Sequence, residues 1–401
     1  MKRFHLLPAG TLVVAGVLAL GISLTPAAEV PRYTQVTPPR DSLIACLPIE
    51  DGTLFADGAE DLSLDGAEPR PAPFAAQVSE VTTLRGVAPS GGILGEALYS
   101  PCQAPATSGF LALPAAGDAE LRLTNTDSSD ASVDLTLLGP DGEVVGLGAR
   151  GIALAPGESR PVALSVIAEG VDGPLGVEWH TTRGRVTATG VTTGDISHVA
   201  PSAPAADVQV LPGVREGATP TLVLVNPQVD RATVHVDFHS PTGTITPEGG
   251  QDISIPPRSV VSVDLSAGTG GEAGAFTVES DLDVVATLYA GGEAQGVGVA
   301  ATPDVELAGA VPGSSTLQLT NVGSATASVS IALGESTHDL LIEPGATATQ
   351  AVAEGDLVDV DVTSNQPLVG AAVLPGAIVE LSPGSLAEAE PMNAELVPTL
   401  R

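Results

Sequence analysis

A chain of 401 residues is longer than one ordinary domain, and its 43% hydrophobic content is enough for packed cores, which excludes a wholly disordered protein. Aromatic residues make up only 2% of the chain, so these cores are aliphatic. The formal net charge is −33 and no basic stripe interrupts it, which excludes nucleic acid and anionic lipid as partners, because both repel such a surface.

The first predicted element is an export signal in residues 1–28. Two basic residues precede an apolar run over residues 6–24, and small residues follow up to Ala27 and Ala28. This is the order of charge, apolar residues and cleavage site in a secretory signal. The apolar run is also almost long enough to span a bilayer. Cleavage after Ala27 or Ala28 and retention as a single N-terminal membrane anchor therefore both stay open, and both predict an exported protein.

The next segment, residues 29–108, is predicted to be a loop-rich N-terminal module held by a disulfide. It contains the only two cysteines, Cys46 and Cys102, which lie 56 residues apart. An even number of cysteines in an exported chain indicates a disulfide. Closing a loop of this length should stabilise the fold by about 4 kcal/mol in the chain-entropy description.

Two acidic stretches in the same segment, residues 57–61 and 65–68, invite a calcium-binding interpretation, because Ca²⁺ prefers several oxygen ligands. Their spacing matches neither the EF-hand loop nor the glycine-rich nonapeptide repeat. A solvated acidic loop is the favoured interpretation.

An internal repeat organises the rest of the chain. Its first strand ends in Asn in all three copies, at Asn125, Asn226 and Asn321, which lie 101 and 95 residues apart. A second strand follows each Asn, and the three second strands cover residues 131–137, 232–238 and 327–333. Apolar and polar residues alternate strictly in these strands, which predicts one face on a core and one in water.

The repeat predicts an all-β fold of tandem immunoglobulin-like β-sandwich domains behind the N-terminal signal or anchor. Each copy carries six or seven short strands with turn residues every eight to twelve positions, as a sandwich requires. The predicted sandwiches are residues 109–205, 206–303 and 304–386, followed by a flexible tail, residues 387–401.

The sharpest cluster of potential metal ligands is His235, Asp237 and His239, which share one face of a strand and form a weak candidate for zinc or copper. The favoured interpretation is the polar face of an ordinary strand. Trp179, the only tryptophan, is predicted to fill a core or an edge. No nucleophile elbow, phosphate loop or dinucleotide motif occurs, so we expect neither a catalytic site nor a cofactor.

Leu211-Pro212-Gly213, Asn226-Pro227 and the cysteine pair resemble a secreted actinobacterial family of unknown function, which has two cysteines and repeated Leu-x-Leu-x-Asn strands. Asn125 and Asn321 depart from its pattern because no Pro follows them. The resemblance covers nearly the whole chain and implies no known activity.

These features together predict an exported structural or interaction protein, extracellular or associated with the cell envelope, that has no catalytic activity and binds an envelope or extracellular protein partner. A binding module for cell-wall glycan or calcium is the alternative. The identity of the partner stays open.

Overall fold

The computed structural model describes residues 32–37, 41–96, 98–117, 119–146, 148–192, 197–291, 296–384 and 390–395. Its regular structure is almost entirely β-strand, so the predicted all-β sandwich fold is confirmed. The predicted export signal, residues 1–28, lies outside the described residues. The described part of the chain contains no helix with the length and hydrophobicity that a bilayer crossing requires.

The chain divides into two compact units. The first combines Met1–Pro38 with Ala389–Arg401, and in it β1 (Arg32–Thr37) pairs antiparallel with β34 (Glu390–Glu395). Part of the tail that was predicted to be flexible is therefore a strand, because it finds a partner at the opposite end of the sequence. The second unit, Pro39–Glu388, contains all the other strands.

The second unit begins with the N-terminal module, whose two small sheets have the orders β2-β6-β4 and β5-β3-β7-β8. Its strands are β2 (Asp41–Cys46), β3 (Thr53–Asp57), β4 (Ser63–Leu64), β5 (Phe74–Gln77), β6 (Thr82–Val87), β7 (Ser90–Leu94) and β8 (Tyr99–Pro101). The predicted disulfide is confirmed: Cys46 at the end of β2 is bonded to Cys102 directly after β8, with their Cα atoms 4.1 Å apart. It joins the two sheets.

This module has more regular structure than its Pro, Gly and acidic content indicated. Seven strands and a small buried cluster, which includes Leu54, Leu84 and Ile93, replace the predicted loop-rich arrangement. The strands are only two to six residues long. Such short strands show too few alternations for a period of two to be recognised in the sequence.

Repeat 1 has two facing sheets, β14-β10-β16-β17 and β12-β11-β15-β9, and β13 also pairs with β11. The strands are β9 (Ser108–Leu113), β10 (Ala119–Thr124), β11 (Ala131–Gly139), β12 (Gly142–Val144), β13 (Ile152–Leu154), β14 (Ser159–Ala163), β15 (Leu175–Arg183), β16 (Thr187–Thr192) and β17 (His198–Pro201). A four-residue helix, α1 (Leu164–Ile167), follows β14.

Repeats 2 and 3 reproduce this pairing scheme. The strands of repeat 2 are β18 (Ala206–Val214), β19 (Thr219–Asn226), β20 (Ala232–Ser240), β21 (Gly243–Ile245), β22 (Ile253–Ile255), β23 (Ser259–Asp264), β24 (Gly274–Gly291) and β25 (Gly296–Gly298), with helix α2 (Ser266–Thr269). Those of repeat 3 are β26 (Asp304–Val311), β27 (Thr316–Asn321), β28 (Ala327–Leu333), β29 (Ser336–Ile342), β30 (Thr347–Ala351), β31 (Val358–Leu374), β32 (Ala377–Glu380) and β33 (Ser382–Pro383).

One long strand links the two layers in repeats 2 and 3. The first half of β24 pairs with β18 and β20, whereas its second half pairs with β19 and β25. In repeat 3, the first half of β31 pairs with β26 and its second half pairs with β27. In repeat 1 the corresponding path is divided into β15 and β16.

The predicted alternation is present in the second strand of each repeat. In β11, Val133, Leu135 and Leu137 are at most 1% exposed, while Ser132 and Asp134 are only half-buried. β20 and β28 show the same alternation. Each sandwich therefore has a largely aliphatic interior, to which Trp179 in repeat 1 and Phe238 and Phe276 in repeat 2 add buried aromatic rings.

The Asn that ends the first strand of each repeat holds the loop that follows it. Asn226 is fully buried, and its Nδ2 donates to the carbonyl oxygens of Asp230, Ile255 and Pro256 at 2.8, 3.2 and 3.0 Å. Its Oδ1 accepts from the backbone N–H of Gln228 at 2.9 Å. Equivalent networks surround Asn125 and Asn321. The repeated Asn therefore satisfies backbone groups that would otherwise be buried without partners.

The sandwiches also pack on one another through apolar residues. In β19, Leu222 and Leu224 belong to the interior of repeat 2, whereas Val223 and Val225 pack into the core of repeat 1. The hydroxyl of Tyr289 in β24 donates to the carbonyl oxygen of Ala112 in repeat 1 at 2.7 Å. The repeats are therefore not isolated domains on a string, since their cores continue across the junctions.

The four modules contact one another in a closed cycle. β8 of the N-terminal module touches β17 of repeat 1, β17 touches β25 of repeat 2, β25 touches β32 of repeat 3, and β32 touches β8 again. Tyr99 of β8 closes the cycle, because its side chain packs into the core of repeat 3. β17, β25 and β32 of the three repeats are thus linked by contacts that β8 of the N-terminal module closes into a cycle.

Candidate functional site

A cavity of about 350 Å³ lies where the four modules meet; we call it the junction cavity. Each module contributes to its wall: Tyr99 and Cys102 from the N-terminal module, Ser202 from repeat 1, Val299 from repeat 2 and Glu380 from repeat 3. It is more enclosed than four other grooves on the described part of the protein. Pockets of a few hundred Å³ at domain junctions are the usual places where small ligands bind.

Gln103 fixes the wall between the N-terminal module and repeat 1. It follows the disulfide directly, and its backbone exchanges two hydrogen bonds with Ala45, both of 2.8 Å. Its side chain reaches repeat 1, where Nε2 donates to Thr189 Oγ1 at 2.6 Å and Oε1 accepts from the N–H of Ser202 at 3.0 Å. The disulfide therefore positions one wall of the junction cavity.

Trp179 supports the same wall from inside repeat 1. Its side chain is 1% exposed, in agreement with the predicted core position, and its Nε1 donates to Ser202 Oγ at 2.9 Å. The single indole of the protein thus has its polar atom satisfied by a residue that lines the cavity.

Glu380 is the one acidic residue among the described residues that line the cavity. It ends β32, and its Oε1 accepts a hydrogen bond from the backbone N–H of Val299 in repeat 2 at 3.2 Å. Among the residues that the structure describes, no Arg or His forms an ion pair with it. The carboxyl group of this cavity-lining residue therefore has no compensating charge among the described residues.

Burial raises the pKa of Glu380 from 4.5 to about 7, although hydrogen bonds from its own N–H and that of Val299 lower it in part. Burial also raises the pKa of Tyr99, and the nearby negative charge of Glu380 raises it further. The phenol therefore stays protonated next to a carboxyl group that is divided between its two forms at neutral pH.

The raised pKa of Glu380 predicts a pH-dependent stability. Between pH 4.5 and 7 the folded state holds this proton more tightly than the unfolded state, so the contribution of Glu380 is fully present below pH 4.5 and is lost as the pH rises through 7. Glu380→Gln should be more stable than the unmutated protein by on the order of 2 kcal/mol at pH 8 and equally stable at pH 4.5. Urea unfolding at both pH values measures this. The same difference in unfolding free energy between the variant and the unmutated protein at both pH values would contradict this prediction.

A cluster of three carboxyl groups lies where the N-terminal module meets repeat 3. Burial raises the pKa of Asp57 at the end of β3, and the negative charges of Asp359 and Asp361 on β31 raise it further. Burial and Asp361 likewise raise the pKa of Asp359. Protonation relieves the repulsion between these carboxyl groups. A lower pH should therefore strengthen the contact between the N-terminal module and repeat 3, just as it favours burial of Glu380.

The weak metal candidate is not assembled as a metal site. His235 Nε2 lies 3.2 Å from Asp237 Oδ1 on the same strand face, as predicted. His239, however, is 8% exposed, and both of its ring nitrogens are engaged in other hydrogen bonds. Within the described ranges, no group of three or more His, Cys, Asp or Glu side chains is placed to hold a metal ion.

His239 instead connects repeats 2 and 3. Its Nδ1 lies 3.1 Å from the carbonyl oxygen of Gly345, which can only accept, so Nδ1 carries the proton. Its Nε2 then accepts from Thr277 Oγ1 at 2.6 Å. Burial lowers the pKa of His239, partly offset by the Gly345 carbonyl and Asp237, and keeps the imidazole neutral. The alternation in the sequence predicted that His239 lies on the polar face of β20, but repeat 3 covers that face at His239.

The acidic stretches of the N-terminal module do not converge on a cation site. Asp65 Oδ1 accepts from the N–H and hydroxyl of Thr83 at 2.7 and 3.2 Å, which fixes a turn. Asp57 Oδ1 accepts from the N–H of Gly58 at 2.8 Å. Asp65 is exposed and agrees with the favoured interpretation of a solvated loop acid, whereas Asp57 ends β3 and is partly buried near Asp359 and Asp361.

Sequence reasoning missed Tyr99, Gln103 and Glu380. The only signal that pointed to this region was Cys102, which lies between Tyr99 and Gln103 in the cavity wall. Glu380 stands in the segment Val-Glu-Leu, where an acidic residue between apolar ones is typical of any strand. The cavity depends on contacts between residues far apart in the sequence, which a single-strand pattern does not contain.

Comparison with known proteins gives one match. Residues 74–335 match the sequence model of a family of unknown function (DUF5719). No curated protein and no solved structure matches the chain significantly. The matched segment begins at β5 of the N-terminal module and ends within repeat 3, so it includes most of the closed cycle.

Proposed function

The chain belongs to DUF5719, a family of unknown function, and we propose that it is an exported structural and interaction protein of the cell envelope or the extracellular space, without catalytic activity. The observation that carries this proposal is the closed cycle, in which four β modules share apolar junctions. Such a body presents sheet edges and loops in fixed positions, which suits the binding of a partner protein.

The disulfide supports export. Disulfides persist in oxidising compartments and are rare in the cytosol, and Cys46–Cys102 links the two sheets of the N-terminal module. The charge order of residues 1–28 supports export independently. Cleavage of this segment and its retention as an anchor are both compatible with the proposal.

The lining of the junction cavity suits binding. Its described residues include several with hydroxyl groups and one with a carboxyl group. A partner protein with a basic or neutral surface fits the net charge of −33 better than an acidic one.

Cell fractionation combined with thiol labelling tests the export proposal. We expect the protein in the envelope fraction or the medium, with Cys46 and Cys102 protected from maleimide under denaturing conditions until a reductant is added. A chain without residues 1–28 is the control and should stay in the cytosol with reactive thiols. Recovery of the full-length protein in the cytosol would contradict the proposal.

Affinity capture tests the interaction role. The oxidised protein, immobilised and exposed to envelope extract, should retain a defined protein partner, and a purified form of that partner should bind it again in isolation. Turnover of a substrate by the purified protein would contradict the absence of catalysis.

A further inference from the structure

The junction cavity contains a carboxyl group without a counter-charge, surrounded by groups that suit one kind of ligand. The residues that line it include Glu380, the hydroxyl-bearing residues Tyr99, Ser90 and Thr302, and the apolar residues Val311 and Leu381. The described residues that line it include no basic side chain. At about 30 Å³ per water molecule in the liquid, its 350 Å³ correspond to roughly a dozen waters, enough for a small organic molecule.

We propose that the junction cavity binds a small organic cation, a primary ammonium group on a short aliphatic chain, with Glu380 as its counter-charge. This inference goes beyond the proposed structural role and does not depend on where the protein is located.

The electrostatics favour a cation over other ligands. An ionised carboxylate in an enclosed space is destabilised by lost hydration, and an ammonium group restores a charge-assisted hydrogen bond to it. The hydroxyl oxygens in the wall can accept the remaining ammonium hydrogens, and the apolar wall can contact the aliphatic chain. The net charge of −33 raises the local concentration of cations and disfavours anions.

A divalent metal ion fits the cavity poorly. Ca²⁺ requires six to eight oxygen ligands and Mg²⁺ six, whereas the cavity offers one carboxylate, and one of its oxygens already accepts from Val299. An ammonium group has only three hydrogens to donate, so it needs fewer acceptors than either metal ion needs ligands.

Titration calorimetry of the full-length oxidised protein tests the proposal with two probes of similar shape, n-pentylammonium and 1-pentanol. At pH 8 we expect n-pentylammonium to bind at least tenfold more tightly than 1-pentanol. Equal affinities would show an apolar cavity without charge recognition and would overturn the proposal, as would the absence of n-pentylammonium binding.

Two variants locate the binding. Glu380→Gln keeps the shape of the side chain, and its binding curve should show no preference for the amine over the alcohol. Glu335→Gln removes the same charge from an exposed turn of repeat 3 and should bind n-pentylammonium like the unmutated protein. Circular dichroism verifies that both variants are folded. An equal loss in the two variants would mean that only the overall charge attracts the amine, which overturns the proposal.

The pH dependence provides a further test. Glu380 binds the ammonium group in its ionised form, and Tyr99 is the other titratable group that faces it. Below the pKa of Glu380, about 7, the affinity for n-pentylammonium should fall by up to tenfold per pH unit. The affinity for 1-pentanol should not follow this trend. An amine affinity that is the same at pH 5 and pH 8 would overturn the proposal.

Discussion

Replacing both Cys46 and Cys102 by Ser should lower the free energy of unfolding by about 4 kcal/mol. The disulfide closes a loop with a sequence separation of 56 residues and joins β2 to the segment after β8. β8 contributes Tyr99 to the closed cycle, so loss of the disulfide should also weaken the contact between the N-terminal module and repeat 3. Urea unfolding of the variant and the oxidised unmutated protein measures this difference.

A reductant supplies the matched control for the disulfide prediction. Reducing the unmutated protein should shift its unfolding midpoint to that of the double variant, and the reductant should leave the variant unchanged. If the oxidised protein and the double variant unfold at the same urea concentration, the disulfide does not support the cycle and this part of the account is wrong.

Asn226→Ala should cost roughly 3 kcal/mol or more of folding stability, because it leaves buried backbone groups without partners. The side chain of Asn226 donates to three carbonyl oxygens and accepts from the N–H of Gln228. Asn226→Asp should be at least as destabilising, since a carboxylate would face those carbonyl oxygens. Chemical denaturation of the purified variants gives both values.

Asn365→Ala is the matched control for this prediction. Asn365 makes one exposed hydrogen bond, from the N–H of Ser328 to its Oδ1 at 2.8 Å, so its loss should cost less than about 1 kcal/mol. Similar losses at Asn226 and Asn365 would show that the buried network is not what stabilises the repeat.

The sandwich class could be predicted because the information is local. In β11 the alternation of Val133, Leu135 and Leu137 with polar residues is itself the physical requirement for a strand with one buried face. The recurring Asn was visible as a repeat marker, but its role was not. An Asn closing an apolar strand before a polar turn is typical of a side chain that bonds nearby backbone groups, and this signal could have been used.

The packing between repeats is visible in the sequence as a continuous apolar run in β19. The run Leu222-Val223-Leu224-Val225 has no polar alternation, which is typical of a strand buried on both faces. The structure places Val223 and Val225 against repeat 1. A continuous apolar run in an otherwise alternating repeat therefore indicates where one sandwich packs on the next.

The junction cavity could not be predicted from the sequence. Tyr99, Ser202, Val299 and Glu380 come from four modules and share no spacing or motif. Their proximity follows from the contacts that link β8, β17, β25 and β32 in a cycle, which depend on the packing of whole modules. For His235, Asp237 and His239, the sequence correctly predicted one shared strand face. It did not predict that repeat 3 covers His239 on that face.

The closed cycle makes a prediction about cooperativity that the single tryptophan can test. Trp179 lies in the core of repeat 1, so its fluorescence follows the unfolding of that repeat, while far-UV circular dichroism follows the strands of all modules. If the modules form one body, urea unfolding of the oxidised protein should give the same midpoint with both probes. Separate midpoints, with a circular dichroism transition that Trp179 does not share, would contradict the closed cycle.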